Sequence, residues 1–167
     1  SQSIIDTLHV LIDDQYITVR LNSAESLLNL GLTNKSIINT LMDLIFTEKN
    51  DVRIRSRAIY LLFSLTGIAA HYKNKFYTLL NAKDTELRLT VVQGLLKLEL
   101  ETEVEPIINT LLDISFSTDE IYIWKRRKAI RKIGDLKELY AFDYKSLLPL
   151  LDDKEISIRI ETAKVLI

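Results

Sequence analysis

Ser3-Ile-Ile-Asp-Thr-Leu8, Ser36-Ile-Ile-Asn-Thr-Leu41 and Pro106-Ile-Ile-Asn-Thr-Leu111 are near-copies of one hexapeptide, and their spacing decides the fold. The first two begin 33 residues apart, and the third begins 70 beyond the second, which is two periods of 35. Degenerate copies at Lys75-Phe-Tyr-Thr-Leu-Leu80 and Ser146-Leu-Leu-Pro-Leu-Leu151 complete the series. Self-similarity at such a period is the mark of stacked supersecondary units. Around each copy the apolar residues recur at helical spacing, as at Ile4, Ile5, Leu8, Leu11 and Ile12. Ser3 and Ser36 stand where an N-cap belongs, and Pro106 suits a first turn, where its missing N–H removes no helical bond.

A second motif follows each copy. It reads as a turn, an aliphatic-basic pair, then small and apolar residues in the next three turns of helix. The pairs are Val19-Arg20, Ile54-Arg55, Leu87-Arg88 and Ile158-Arg159, with Trp124-Lys125 in the fourth copy, where Ala129 follows five residues after the Trp. Gly31, Gly67 and Gly134 fall near the ends of these second helices, where a left-handed cap favours glycine. The spacing predicts second helices over about 17–30, 52–66, 85–98, 120–134 and 155–167. One helical pair cannot bury its apolar face alone, so successive pairs must stack. Ala24, Leu28, Ala58, Leu62, Val92, Leu95, Ala129, Ile133 and Ala163 are the positions expected between helices.

Together the two motifs resemble HEAT repeats, the armadillo-type α-solenoid family, over essentially the whole chain. The resemblance implies an all-α fold, a right-handed α-α superhelix of about five HEAT-like helical pairs. Residues 1–167 would form a single array with repeats at about 3–32, 35–68, 71–100, 104–138 and 143–167. It also implies a ladder of hydrogen bonds along the stack, in which an Arg opening each second helix donates to an Asp in an intra-repeat turn. Asp14 with Arg20, Asp119 with Lys125 and Asp153 with Arg159 match at six-residue separation. Arg55 and Arg88 supply the arginine in repeats two and three, where Lys49 and Ala82 take the turn position and Asp51 and Asp84 lie nearby. Neither terminus carries the polar face of a capping repeat, so the chain is read as part of a longer protein.

Composition agrees with an array of helices. Of 167 residues, 50 are Leu or Ile, while Gly and Pro contribute only six; average usage would give about 20. Turn-rich sandwiches, collagen-like chains and flexible linkers are thereby excluded. The net charge of −1 creates no global field toward nucleic acid or anionic membrane. There is no Cys, which excludes disulfide and thiolate chemistry. The longest uncharged stretch, from Ala58 to Tyr72, is shorter than the roughly 20 residues of a spanning helix. No membrane insertion and a cytoplasmic location are expected.

Catalysis needs convergent polar groups with a base, nucleophile or metal. His9 and His71 are the only histidines, and neither belongs to a His-Glu-x-x-His motif. The His-Glu pairs by which some HEAT-fold oxygenases hold iron have no counterpart. Phosphate-binding glycine loops and Gly-x-Ser-x-Gly are absent too. Asp13-Asp14 and Asp152-Asp153 occupy equivalent turns and read as turn and capping residues. The chain is expected to be no enzyme and to hold no cofactor and no metal.

One local charge feature stands out. Trp124-Lys-Arg-Arg-Lys-Ala-Ile-Arg-Lys132 places Lys125, Arg126, Arg127, Lys128, Arg131 and Lys132 within nine residues. Arg53, Arg55 and Arg57 form a smaller cluster at the corresponding point of repeat two. In a HEAT solenoid the second helices line the concave face, so the resemblance implies that both clusters share one groove. Lys125, Arg126, Arg127, Lys128, Arg131 and Lys132, with Arg53 and Arg57, are therefore the candidate partner-binding residues, and most of the strip is expected to face solvent. Trp124 stands where other repeats place Val, Ile or Leu, which makes it a core residue; exposed, it would be a binding anchor. Glu99, Glu101, Glu103 and Glu105 form an opposite, acidic ridge. The expected function is a non-enzymatic scaffold that binds another protein, such as an acidic segment, along its groove. The alternatives are a nucleic-acid-binding solenoid resembling the alkyl-purine DNA glycosylases, and an accessory domain of a larger enzyme.

Overall fold

Side chains at the turns start the helices. In a computed structural model, which describes residues 2–98, 104–118, 122–137 and 139–167 and Thr66 by its backbone, Asn34 is extended and its side chain accepts the Ile37 N–H at 3.0 Å. Asp51 and Asp84 do the same for the N–H groups of Arg53 and Leu87, at 2.8 and 3.0 Å. Each satisfies one of the donors that a helix start leaves free. Asn34, not Ser36, is thus the cap of its helix, and Ser3 lies inside the first helix rather than before it.

Every regular element among the described residues is helical. The order is α1 (Gln2–Leu11), α2 (Ile17–Asn29), α3 (Lys35–Phe46), α4 (Val52–Phe63), α5 (Thr66–His71), α6 (Lys73–Thr78), α7 (Thr85–Leu96), α8 (Val104–Phe116), α9 (Ile123–Lys137) and α10 (Ile156–Leu166). Two 3₁₀ segments, Leu79–Asn81 and Tyr144–Asp152, precede α7 and α10. The fold class is all-α.

The second helices α2, α4, α7, α9 and α10 stand close to their expected places, though α4 ends at Phe63 and α9 runs three residues later than expected. The first helices are less regular. Around the start of the third repeat α5, α6 and a 3₁₀ turn replace one helix, through a stretch of weak helix formers at His71, Tyr72 and Asn74. In the fifth, Pro149 cannot donate to an α-helical ladder, and the segment stays 3₁₀.

The chain forms two compact units. One comprises Ser1–Phe76 with Gln93–Glu99; the other comprises Tyr77–Val92 with Leu100–Ile167. In the first, α1 packs on α2, α2 on α3 and α4, and α3 on α4. Its core holds Ile12, Leu27, Ile37, Leu41, Leu44, Leu62, Phe76 and Leu95. In the second, α8 packs on α9, and α9 and the long 3₁₀ segment on α10. Its core holds Leu87, Leu89, Ile107, Leu111, Ala129, Ile130, Ile133, Leu147 and Ile158. Each buried Leu, Ile or Phe side chain among them contributes about 1.5–3 kcal/mol by leaving water.

Of the expected buried positions, Ala24, Ala58, Leu62, Val92, Leu95, Ala129 and Ile133 are buried. Leu28 and Ala163 are only half-buried; Leu27 and Thr162, one position earlier, take the interior instead. Gly31 follows α2 with φ +75°. Its N–H donates to the Leu28 carbonyl and that of Leu32 to the Leu27 carbonyl, a Schellman ending. Gly67 and Gly134 are not caps: Gly67 lies in α5, and Gly134 lies inside α9 against Val165.

Candidate interaction surface

The α9 helix begins one residue out of the frame expected for it. Counting from the aliphatic-basic pair, the fourth following residue is Ser23, Ala58, Val91 and Thr162 in the other repeats, and each is buried. In α9 the buried small residue is Ala129, which puts the pair at Lys125-Arg126 and not at Trp124-Lys125. Lys125 and Arg126 are each 6% exposed, whereas Trp124 is 51% exposed. Trp124 is therefore a surface residue, and the core position expected for it belongs to the Lys125 stem.

A lysine can fill an aliphatic position when its ammonium finds partners at the rim. The Lys125 Nζ lies 4.1 Å from the Tyr122 ring centroid, 5.4 Å from that of Trp124 and 3.9 Å from Glu86 Oε2. Arg126 takes the ladder position. Its Nε donates to the Ser115 carbonyl at 2.9 Å, and its guanidinium grips Asp153 through both terminal nitrogens. Burial pushes the Asp153 carboxyl upward, but hydrogen bonds from Arg126 and from the Glu155 N–H outweigh it and hold the pKa below its ordinary value.

The ladder differs from the expected one in its partners. Arg20 reaches Asp43 at 2.7 Å, and Arg88 reaches Asp113 at 2.5 Å; both carboxylates lie in the following repeat. Asp14 instead accepts the Tyr16 N–H at 2.8 Å. Arg55 donates to the Ile45 carbonyl at 2.7 Å, and Arg159 to the Asp153 carbonyl at 2.7 Å. Asp119 lies outside the described residues, as do Glu99, Glu101 and Glu103 of the acidic ridge.

The rest of the basic strip is largely neutralised. Arg127 and Arg131 both bond to Glu161 of α10, at 3.4 and 3.0 Å, and Glu161 is buried between the helices. The Arg131 hydrogen bond holds the Glu161 pKa below its ordinary value against the opposing effect of burial, and the Arg131 pKa rises in return. Lys132 pairs with Asp135 at 2.8 Å. The strip expected to face solvent is thus mainly an internal network, because α10 and the turns supply carboxylates that a one-helix reading does not see.

What remains at the surface is a small aromatic-cationic patch at the start of α9. Trp124 and Tyr122 are exposed, and the Lys128 Nζ lies 6.0 Å from the Trp124 ring. Tyr122 and the partners Glu86 and Glu161 were not legible as site residues. The only cue was the small residue at Ala129, one place later than the frame required.

Arg53 and Arg57 belong to the first unit. Arg57 is committed to Glu25, with its Nη2 at 2.6 Å, while Arg53 is largely exposed and, among the described residues, paired only with the neighbouring Asp51. His9 lies in α1; His71 sits at the end of α5 with its ring edge-on to Tyr72. Among the described residues no group of three His, Cys, Asp or Glu is placed to hold a metal ion, and no helix is long and apolar enough to cross a membrane.

No protein-family model matches the chain, and no curated protein matches it. Solved structures do. The crystal structure of an engineered protein from the Northeast Structural Genomics Consortium is 16% identical with a TM-score of 0.52, over 97% of this chain and 77% of that one. A second engineered protein from the same consortium is 14% identical with a TM-score of 0.40, over 97% and 96% of the two chains. The first likeness is one of fold alone.

Proposed function

We propose that the chain is a non-enzymatic, cytoplasmic protein-interaction scaffold, an array of HEAT-like helical pairs, and that it takes an acidic segment of another protein at Tyr122, Trp124 and Lys128. The observation that carries this reading is the half-exposed Trp124, with the ammonium groups of Lys125 and Lys128 5.4 and 6.0 Å from its ring, on a helix whose Arg126, Arg127, Arg131 and Lys132 are already paired with carboxylates. An indole in that setting offers a partner a large apolar contact with positive charge at its edge, the composition favoured at binding hot spots. A phosphate backbone asks for several free cations along a track. The pairing of Arg126, Arg127, Arg131 and Lys132 with carboxylates counts against that alternative.

The chain contains a single Trp, so its fluorescence reports on this patch alone. Titration with a Glu- and Asp-rich peptide is expected to shift the emission saturably, and Lys128→Glu is expected to abolish the shift. A response to generic duplex DNA in place of the peptide would move the reading to nucleic acid. Silence toward both would end it.

A further inference from the structure

Seven residues beyond the starts of the copies at Ser36, Pro106 and Ser146 stand Asp43 in α3, Asp113 in α8 and Asp153 just past the long 3₁₀ segment. Each of these carboxylates takes an arginine from the second helix before it: Arg20, Arg88 and Arg126. The same count in the copy at Lys75 reaches Ala82, and Arg55 turns back to the Ile45 carbonyl. The carboxylate at that position therefore goes with the forward bond.

Arg159 is the next arginine in the series. Among the described residues, it is bound only by carbonyls of its own turn, those of Asp153 at 2.7 Å and Lys154 at 3.3 Å. Beside it Ile156, Ile160 and Ala163 lie on one face of α10, at i, i+4 and i+7. On α2 and α7, the helices whose arginines reach forward to an aspartate of a following α-helix, the positions matching Ile160 are Leu21 and Leu89; on α4 and α9 they are the polar Ser56 and Arg127. Leu21 and Leu89 are 2% and 1% exposed, while Ile160 is 50% exposed. On α2 and α7 the positions matching Ala163 are Ala24 and Val92, both buried. The helices whose aspartates take the arginines of α2 and α7 share the sequence Ile-Ile-Asn-Thr-Leu-x-Asp, at 37–43 in α3 and 107–113 in α8.

We propose that the open face of α10 docks a partner helix of this same chemistry, with its Ile-Ile-x-x-Leu stripe on Ile156, Ile160 and Ala163 and its Asp on Arg159. A second copy of the chain is the poorer occupant, because the residue of α1 that matches Asp43 is Val10, which offers Arg159 no carboxylate. The surface is separate from the Trp124 patch and stands or falls without it.

The test uses the full chain and a labelled peptide of residues 34–47, stapled between positions 35 and 39, which are exposed in α3. Saturable binding is expected, with an NMR footprint on α10 that Trp124→Ala leaves intact. Ile160→Asp in the chain, or Asp43→Asn in the peptide, is expected to weaken binding about tenfold, the scale of one charged hydrogen bond. Arg159→Asp should reject the natural peptide and accept the Asp43→Arg peptide, a rescue that a misfolded variant cannot give. No binding, or a footprint on α2 in place of α10, overturns the proposal. So does self-association of the chain that Ile160→Asp abolishes, since the occupant is then a second copy.

Discussion

Gly94 carries no side chain because the Phe63 ring occupies the space. A Cβ built on it would stand 2.4–2.6 Å from three atoms of that ring. Phe63 has nowhere to retreat, since it is buried with its ring centroid 4.6 Å from that of Phe76, which in turn lies 5.8 Å from Phe46. Gly→Ala inside a helix ordinarily stabilises by about 1 kcal/mol. Overpacking a filled core costs about 1–3 kcal/mol. The clash is expected to win, so Gly94→Ala should lower stability in urea melts; an increase would show that the ring can move. Gly31 makes the opposite case. Nothing lies within 4 Å of its Cβ position, yet φ is +75°. Gly31→Ala should therefore cost about 1 kcal/mol through the backbone alone. The role of Gly31 was legible, because a glycine just past a helical period is a cap signal. That of Gly94 was not, because its reason lies on another helix.

At the scale of the element, α9 shows how a repeat can hide its frame. The aliphatic position that defines the motif is filled by the stem of Lys125, a residue that pattern reading counts as polar. Trp124, the nearest apolar residue, then looks like the core one. The small residue resolves the choice, because a close helix–helix approach tolerates little else there. Two substitutions separate the frames by thermal melting. Trp124→Ala removes a side chain from the surface and is expected to change stability by no more than about 0.5 kcal/mol. Arg126→Met leaves Asp153 and the Ser115 carbonyl without their buried donor, and is expected to cost about 3–5 kcal/mol. The reverse order of effects would restore Trp124 to the core. Helix positions were legible because leucines and isoleucines at period 3.6 survive such substitutions. The fate of the charges was not, since Glu86, Asp153 and Glu161 reach α9 from distant segments.

At the scale of the molecule, the two units do not depend on carboxylates equally. The second holds Asp153 on Arg126 and the buried Glu161 on Arg127 and Arg131, both carboxyls titrating below their ordinary values of 3.8 and 4.5. In the first, among the described residues, Asp51 alone is depressed, by the Arg53 N–H, and it is a solvent-exposed cap. A carboxyl whose pKa is lower in the fold than in the unfolded chain stabilises the fold above the unfolded value. That contribution is lost as pH falls through the folded value. Both contributions are therefore intact near neutrality and erode below about pH 4. Amide resonances followed by NMR during acidification should lose intensity in α9 and α10 before α2, α3 and α4. Glu161→Gln cannot titrate, so it should lower stability at neutral pH while flattening its acid limb. The interpretation fails if both units melt at one pH, or if Glu161→Gln keeps the steep acid limb. In either case the Glu161 network would be a geometric feature of the α9–α10 contact with no weight in the acid stability of the second unit.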